Sequence, residues 1–249
     1  MVEQIPPIET WGFRFVLMPL TTREASGYKL IASKDSTTIQ ITCNRVHSEI
    51  ILLNARQSVF RLYPNNYWCY VESNHPILVM LFSLGYTYDV DTTGSNSADP
   101  FMMMVPPIEQ LGRQYNLLSP LESISDDSLR FDPYVNVFIP EEYFDAQVLL
   151  VNDVRAPVTF KDIINSAGLT VARAAQYRLS SNTSILQYGQ NGDSRFGVLV
   201  YAWGRETSYG YPGGLKLDSV ASMCIYIYIY CIYVHTKPPY LLLICLLPL

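Results

Sequence analysis

The chain has 249 residues, 49% of them apolar and 16% charged, and carries a formal net charge of −5. That apolar content excludes a largely disordered chain, and an acidic balance with no Lys/Arg cluster excludes the basic face that nucleic-acid binding requires. Tyr (19) and Pro (16) are abundant while helix-favouring runs are scarce, which suits short strands joined by Pro-rich loops.

Met1–Thr10 carries two acids, two prolines and no apolar core of signal-peptide length. Strands are then predicted at Gly12–Met18, Tyr28–Ser33, Thr38–Thr42, Glu49–Leu53, Ser58–Leu62, Trp68–Glu72, Ile77–Phe82 and Phe101–Val105. Turn chemistry separates them, notably Ser33-Lys34-Asp35-Ser36 and Ser73-Asn74-His75-Pro76. A second series follows a repeat. Residues 6–15 (PPIETWGFRF) and 106–115 (PPIEQLGRQY) share five residues in register, Pro6/Pro106, Pro7/Pro107, Ile8/Ile108, Glu9/Glu109 and Gly12/Gly112. A period of 100 is too long for a solenoid and suits a whole β unit or a pair of propeller blades. The later copy offers strands at Tyr134–Ile139, Ala146–Val151 and Gly197–Trp203, and a helix at Thr159–Ala167 opened by an N-cap-like Thr159. The expected fold is all-β, with antiparallel repeated units of about 100 residues, β-sandwich-like or β-propeller-like, and at most one or two short helices. The units would cover about 1–105 and 106–218 of a domain spanning 1–218.

Residues 219–249 differ in kind. The run CIYIYIYCIYVH is a nearly regular Ile/Tyr alternation of the sort a TA dinucleotide repeat encodes, and LLLICLLPL is too short to span a bilayer as a helix. This tail is expected to be a gene-model artefact rather than domain or membrane anchor.

Cys43 and Cys69 lie in the main body, and Cys224, Cys231 and Cys245 in the tail. The body pair fits one disulfide in an oxidising compartment, or alternatively two buried thiols. Catalytic signatures are missing. His47 and His75 are the body's histidines, with no Gly-x-Ser-x-Gly elbow beside them, and solvent-facing loop histidines are expected. Neither phosphate-loop pattern occurs. Asp89, Asp91, Thr93 and Asp99 lack the glycine and terminal Glu of a calcium loop and read as a solvated loop. Glu141-Glu142 and Asp126-Asp127 read as surface acids. No catalytic, cofactor-binding or metal residue is therefore expected. Asn182-Thr183-Ser184 is a glycosylation sequon. The aromatic stretch containing Trp203, Tyr209 and Tyr211 is a candidate binding surface, weighed against a packed strand and its turn.

Several blocks occur in an order that resembles the IgGFc-binding N-terminal domain. They are Pro6–Phe15, Met18-Pro19-Leu20, Ala32–Thr38, Glu72–Val79, Asp99–Met102, Val105–Gln110, Phe196–Trp203 and Ser208–Gly214. The resemblance covers residues 1–218 and implies a secreted or cell-surface, non-catalytic module that captures protein or glycan ligands. It also implies a chain that begins inside the domain. The rival expectations are a carbohydrate-active or hydrolytic enzyme on a propeller scaffold, which needs converging carboxylates, and a structural link in a mucin-like assembly.

Overall fold

The computed structural model describes residues 3–44, 47–85, 99–121, 131–145, 148–189, 194–204 and 207–216. Asp89, Asp91, Thr93, Asp126, Asp127, Ala146 and the tail lie outside these residues. The described residues form strands and three single turns of 3-10 helix (Ile8–Thr10, Ile108–Gln110 and Glu141–Tyr143), with no α-helix among them. The protein is all-β.

The first strands are β1 (Gly12–Leu17), β2 (Ala25–Ala32), β3 (Thr37–Cys43), β4 (His47–Leu53), β5 (Ser58–Pro64), β6 (Cys69–Phe82) and β7 (Met102–Met104). They join one curled antiparallel sheet through the long β6. The N-terminal half of β6 lies between β1 and β3, with Val71 opposite both Phe15 and Ile41. Its C-terminal half lies between β2 and β7, with Met80 opposite both Lys29 and Met104. The expected turn at Ser73–Pro76 is thus a bend within one strand. The register against β1 slips there, from Glu72 opposite Arg14 to Ile77 opposite Gly12. Pro76 has no N–H to give a ladder, and Asn74 spends its side chain on Thr38 N at 2.8 Å. Turn residues in this setting re-aim the strand from one layer to another without reversing it.

The later strands are β8 (Gln114–Leu118), β9 (Asp132–Pro140), β10 (Leu149–Val151), β11 (Val154–Arg155), β12 (Lys161–Ile164), β13 (Thr170–Arg178), β14 (Thr183–Tyr188), β15 (Gly197–Gly204) and β16 (Thr207–Pro212). They form a four-stranded sheet, β11-β10-β14-β8, and a five-stranded sheet, β12-β13-β9-β15-β16. With β6 read as two halves, the pairings β1–β6, β3–β6, β3–β4, β2–β5, β2–β6 and β6–β7 have counterparts in β8–β14, β10–β14, β10–β11, β9–β13, β9–β15 and β15–β16. Asn152-Asp153, both at positive φ (52° and 63°), make the two-residue hairpin between β10 and β11.

The helix expected at Thr159–Ala167 is instead the hairpin β12–β13. Asn165 decides this. Its side-chain oxygen accepts from Ala167 N and Leu169 N, both at 3.0 Å, closing a turn that Gly168 completes at φ +78°. Paired across that hairpin, Ile163 and Ile164 become buried strand residues.

The five-stranded sheet is buried on both faces, which is why β15 reads as seven consecutive buried residues, Gly197–Trp203. Phe138, Leu199, Tyr201 and Trp203 pack into the core shared with β1, β2, β3 and β6. Val135, Val137, Ile139, Val198 and Val200 face a second core with Tyr115, Leu117, Leu186 and Tyr188 of the four-stranded sheet. A buried polar knot ties the β1–β2 loop to this layer. Tyr201 Oη donates to Asn136 Oδ1 at 2.7 Å and accepts from Thr21 N at 3.0 Å, while Asn136 Nδ2 and Gln176 Nε2 both donate to the Pro19 carbonyl, at 2.9 and 2.7 Å.

Candidate functional site

The curled first sheet ends on β4 at one side and β5 at the other, and neither has a second strand partner among the described residues. Side chains close the gap between them. Arg61 Nε and Nη2 donate to Glu49 Oε2 at 2.9 and 2.8 Å, and Tyr63 Oη donates to Glu49 Oε1 at 2.8 Å. His47 Nε2 stands 3.7 Å from the same carboxylate, and the Tyr63 ring is stacked on Tyr67 at 5.9 Å. Burial raises the Glu49 carboxyl, but the hydrogen bonds from Arg61 and Tyr63 outweigh it and hold the group below the ordinary carboxylate range. Burial, then the bond to Glu49, pushes the Tyr63 hydroxyl well above its ordinary value. Glu49 is therefore an ionised clasp across a seam, held by its partners rather than poised to take up a proton.

Residues of β4 and β5 alternate between this inward clasp and solvent. Beyond Ser48 and Ser58, which begin the outward rows, the outward positions are apolar. Ile50 and Leu52 on β4 are each 70% exposed, and Phe60 and Leu62 on β5 are 50% and 54% exposed. Phe60 lies over Gly27 of β2, where a Cβ would come within 2.5 Å of its ring, and meets Phe82 edge-on at 5.9 Å. Large apolar side chains on the outer faces of two edge strands are what a protein keeps where it meets a partner, since a free edge otherwise carries charge or proline. Sequence reasoning missed this surface, although a signal was present. The run Glu49-Ile50-Ile51-Leu52-Leu53 is more apolar than a strand with one buried face needs.

A disulfide crosslinks β3 to β6 within the same sheet. Cys43 and Cys69 face each other across the β3–β6 ladder, both fully buried, with Sγ atoms 2.05 Å apart. The bond comes immediately before Asn44, which turns the chain into β4 at φ +50° and accepts from Trp68 N at 3.1 Å. The oxidised pair replaces the alternative of two free thiols.

Of the three aromatic residues weighed as a binding surface or as a packed strand and its turn, Trp203 and Tyr209 are packed inside and Tyr211 is half-buried. Trp203 is 8% exposed, ringed by Phe101, Tyr134 and Tyr201, with the Arg23 guanidinium 4.6 Å above it. Tyr209 is 6% exposed and meets Phe131 edge-on at 5.4 Å. Tyr211 is half-buried and donates to the Leu118 carbonyl. Gly210 accounts for much of this, because the Phe101 ring rests where its Cβ would be, 2.3 Å away. His47, expected in a loop or at a strand edge, is a half-buried residue of the edge strand β4, and His75, expected in a turn, is a half-buried residue of β6. Glu141 pairs with Arg173 at 3.0 Å on the surface. Asn182 is exposed beside β14, its side-chain oxygen accepting from Leu121 N at 2.8 Å. Among the described residues no group of three or more His, Cys, Asp or Glu is placed to hold a metal, and no helix is long and apolar enough to cross a membrane.

The model of one family, described as IgGFc binding protein, matches residues 1–202. The chain belongs to that family. Membership points to an extracellular binding module, and the oxidised Cys43–Cys69 pair accords with an oxidising compartment. No curated protein matches the chain. Among solved structures an anti-sigma factor domain-containing protein aligns at 10% identity over 82% of this chain and 83% of that one, with a TM-score of 0.16, which is too low to relate the two folds.

Proposed function

We propose that residues 1–218 form a non-catalytic extracellular module of two β units, about 1–105 and 106–218, that captures a protein ligand at the β4–β5 seam. One observation carries this reading, the exposed apolar pairs Ile50/Leu52 and Phe60/Leu62 on the outer faces of two edge strands. Their chemistry favours protein over glycan, because a sugar is recognised by polar groups and flat aromatic faces, whereas aliphatic side chains on strand edges suit apolar protein surface or an added strand. The clasp beneath keeps the seam rigid, so its apolar groups are presented without further ordering cost. The exposed sequon at Asn182 accords with passage through a secretory route, where it would carry a glycan. The family description names the Fc part of immunoglobulin G as the first ligand to try.

The test is a binding screen of the full chain, secreted from cells, against immunoglobulin Fc, mucins and glycan arrays. The reading expects saturable binding to a protein, weakened at least tenfold by the double substitution Ile50→Ser/Leu52→Ser with the fold intact by circular dichroism. Glycan-only binding, or protein binding indifferent to those substitutions, would overturn it.

A further inference from the structure

The two β units differ at one edge. By its pairings β13 is the counterpart of β5, since β9–β13 stands in the second unit where β2–β5 stands in the first. The side of β13 away from β9 is filled by β12, which runs antiparallel with Lys161 opposite Ala174 and Ile163 opposite Ala172. The corresponding side of β5, away from β2, is open among the described residues. Chain length accounts for the difference. Residues 54–57 alone separate β4 from β5, enough for a turn, whereas residues 156–169 separate β11 from β13 and include β12. The second unit supplies its own strand at this place and the first does not.

Main-chain phase and side chains both equip that open side for a strand. Ala32 N donates to the Gln57 carbonyl at 3.0 Å and Asn65 N to the Glu24 carbonyl at 2.8 Å. Val59, Arg61 and Tyr63 are in phase with these pairs and turn their main-chain groups toward β2. Ser58, Phe60 and Leu62 therefore turn theirs away from it, and Pro64 adds a carbonyl without an N–H. The Phe60 carbonyl takes its hydrogen bond from Arg61 Nη1, at 3.1 Å, and not from a neighbouring strand. On the outer face Phe60 and Leu62 form an exposed apolar row. On the inner face Arg61 is the one charged residue of β5, and Glu49 neutralises it at 2.8 Å. A segment that complements these rows is uncharged, with apolar residues beside Phe60 and Leu62 and polar ones over the clasp.

We propose that β5 accepts an extended segment of a partner protein as an added antiparallel strand, in the place β12 takes beside β13. This rests on the seam as the site of protein capture and specifies what is captured there, a segment in which apolar and uncharged polar residues alternate. In an antiparallel ladder the residues directly opposite Phe60 and Leu62 lie on the same face as these two and exchange main-chain hydrogen bonds with them. The partner's apolar residues are then the ones that bond to β5, and its polar residues direct their main chain toward β4. Arg61 keeps its bonds to Glu49 and releases the Phe60 carbonyl. A second copy pairing β5 with β5 fits less well, because aligning Phe60 with Leu62 across the ladder sets two Arg61 side chains face to face. An added strand alone covers less than the roughly 1,200 Å² of a stable complex. A whole partner therefore also meets the exposed Ile50/Leu52 row of β4, while main-chain bonds and alternation at β5 set which segment enters.

The test titrates the full chain with a capped peptide of alternating Val and Thr, as long as β5 and kept soluble by a terminal lysine. Saturable binding is expected by nuclear magnetic resonance, with slowed hydrogen exchange at the Phe60 and Leu62 amides. N-methylation of the peptide's Val residues should weaken binding at least tenfold, and N-methylation of its Thr residues less than threefold, because the Val amides alone face β5. Leu62→Pro should bind at least tenfold more weakly than Leu62→Ser. Both lose the side chain, but only proline loses the N–H, and an edge strand tolerates it at a position turned away from its neighbour. Circular dichroism checks that both variants fold. A peptide that does not bind, or whose two N-methylated forms bind alike, overturns the added strand and leaves untouched a protein ligand that is sensitive to Ile50→Ser/Leu52→Ser. A peptide that binds as described, while the screen of proteins finds no ligand, overturns the capture reading and upholds the open edge as a strand acceptor.

Discussion

Replacing Cys43 and Cys69 together by alanine should destabilise the protein by about 5 kcal/mol, and most of that loss should come from the unfolded state. The bond joins residues 26 apart in sequence. Closing a loop of that size removes about 12 cal/mol/K of chain entropy from the unfolded ensemble, or about 3.5 kcal/mol at room temperature. The two fully buried sulfur atoms add about 1 kcal/mol each, from lost packing in a core that cannot close around alanine. Equilibrium urea unfolding followed by tryptophan fluorescence measures the sum, with Trp68 buried beside Cys69 as a reporter. Chemical reduction of the natural sequence keeps the sulfurs and removes only the crosslink, so it should account for the larger part alone. Both perturbations should also steepen the denaturant dependence, because an uncrosslinked unfolded chain exposes more surface. A loss below about 1 kcal/mol with an unchanged slope would refute the loop-entropy reasoning. The disulfide would then be a passenger in a β3–β6 ladder that holds without it.

Glu109→Ala removes the acceptor that Phe13 N, Arg14 N and Arg14 Nε share at the start of β1 and should cost about 2 kcal/mol, less than three fully buried charged hydrogen bonds would, since the Arg14–Glu109 pair is partly exposed. A double-mutant cycle with Arg14→Ala should return a coupling of about 0.5–1 kcal/mol by urea unfolding, and a coupling near zero would show that Glu109 acts through the backbone bonds alone. The seam should give way in acid. The Glu49 carboxyl is held below its ordinary value in the folded chain, so the unfolded chain binds the proton more readily. Its stabilisation is full above the ordinary carboxylate value and is lost as pH falls through the lowered one. Glu49→Gln should therefore be less stable than the natural sequence at neutral pH and should lose less on acidification. Parallel acid limbs in a pH series of melting curves would contradict the assignment.

Much of this fold was legible from residue order. The strands from β1 to β5 fall close to their predicted places because apolar residues alternate there and Ser, Asp, Asn and Pro punctuate the gaps. The body's two cysteines pair with each other, and the five shared residues of 6–15 and 106–115 mark two turns of the same local form, each a single 3-10 turn after Pro-Pro. Local chemistry settles such features, because a turn or an alternation is a property of neighbours in sequence. Tertiary structure alone decided the others. Thr170–Arg178, with its three buried alanines, carries no strand signal, and it is a strand because small side chains let the five-stranded sheet approach the first core. By type Trp203 and Tyr209 suit either recognition or packing, and a layer covered on both faces buries them. Whether two strand edges meet, and so whether Ile50, Leu52, Phe60 and Leu62 flank a seam, depends on the curl of the sheet. Curl is set by the bend in β6 and by packing between layers, which no single stretch of sequence contains.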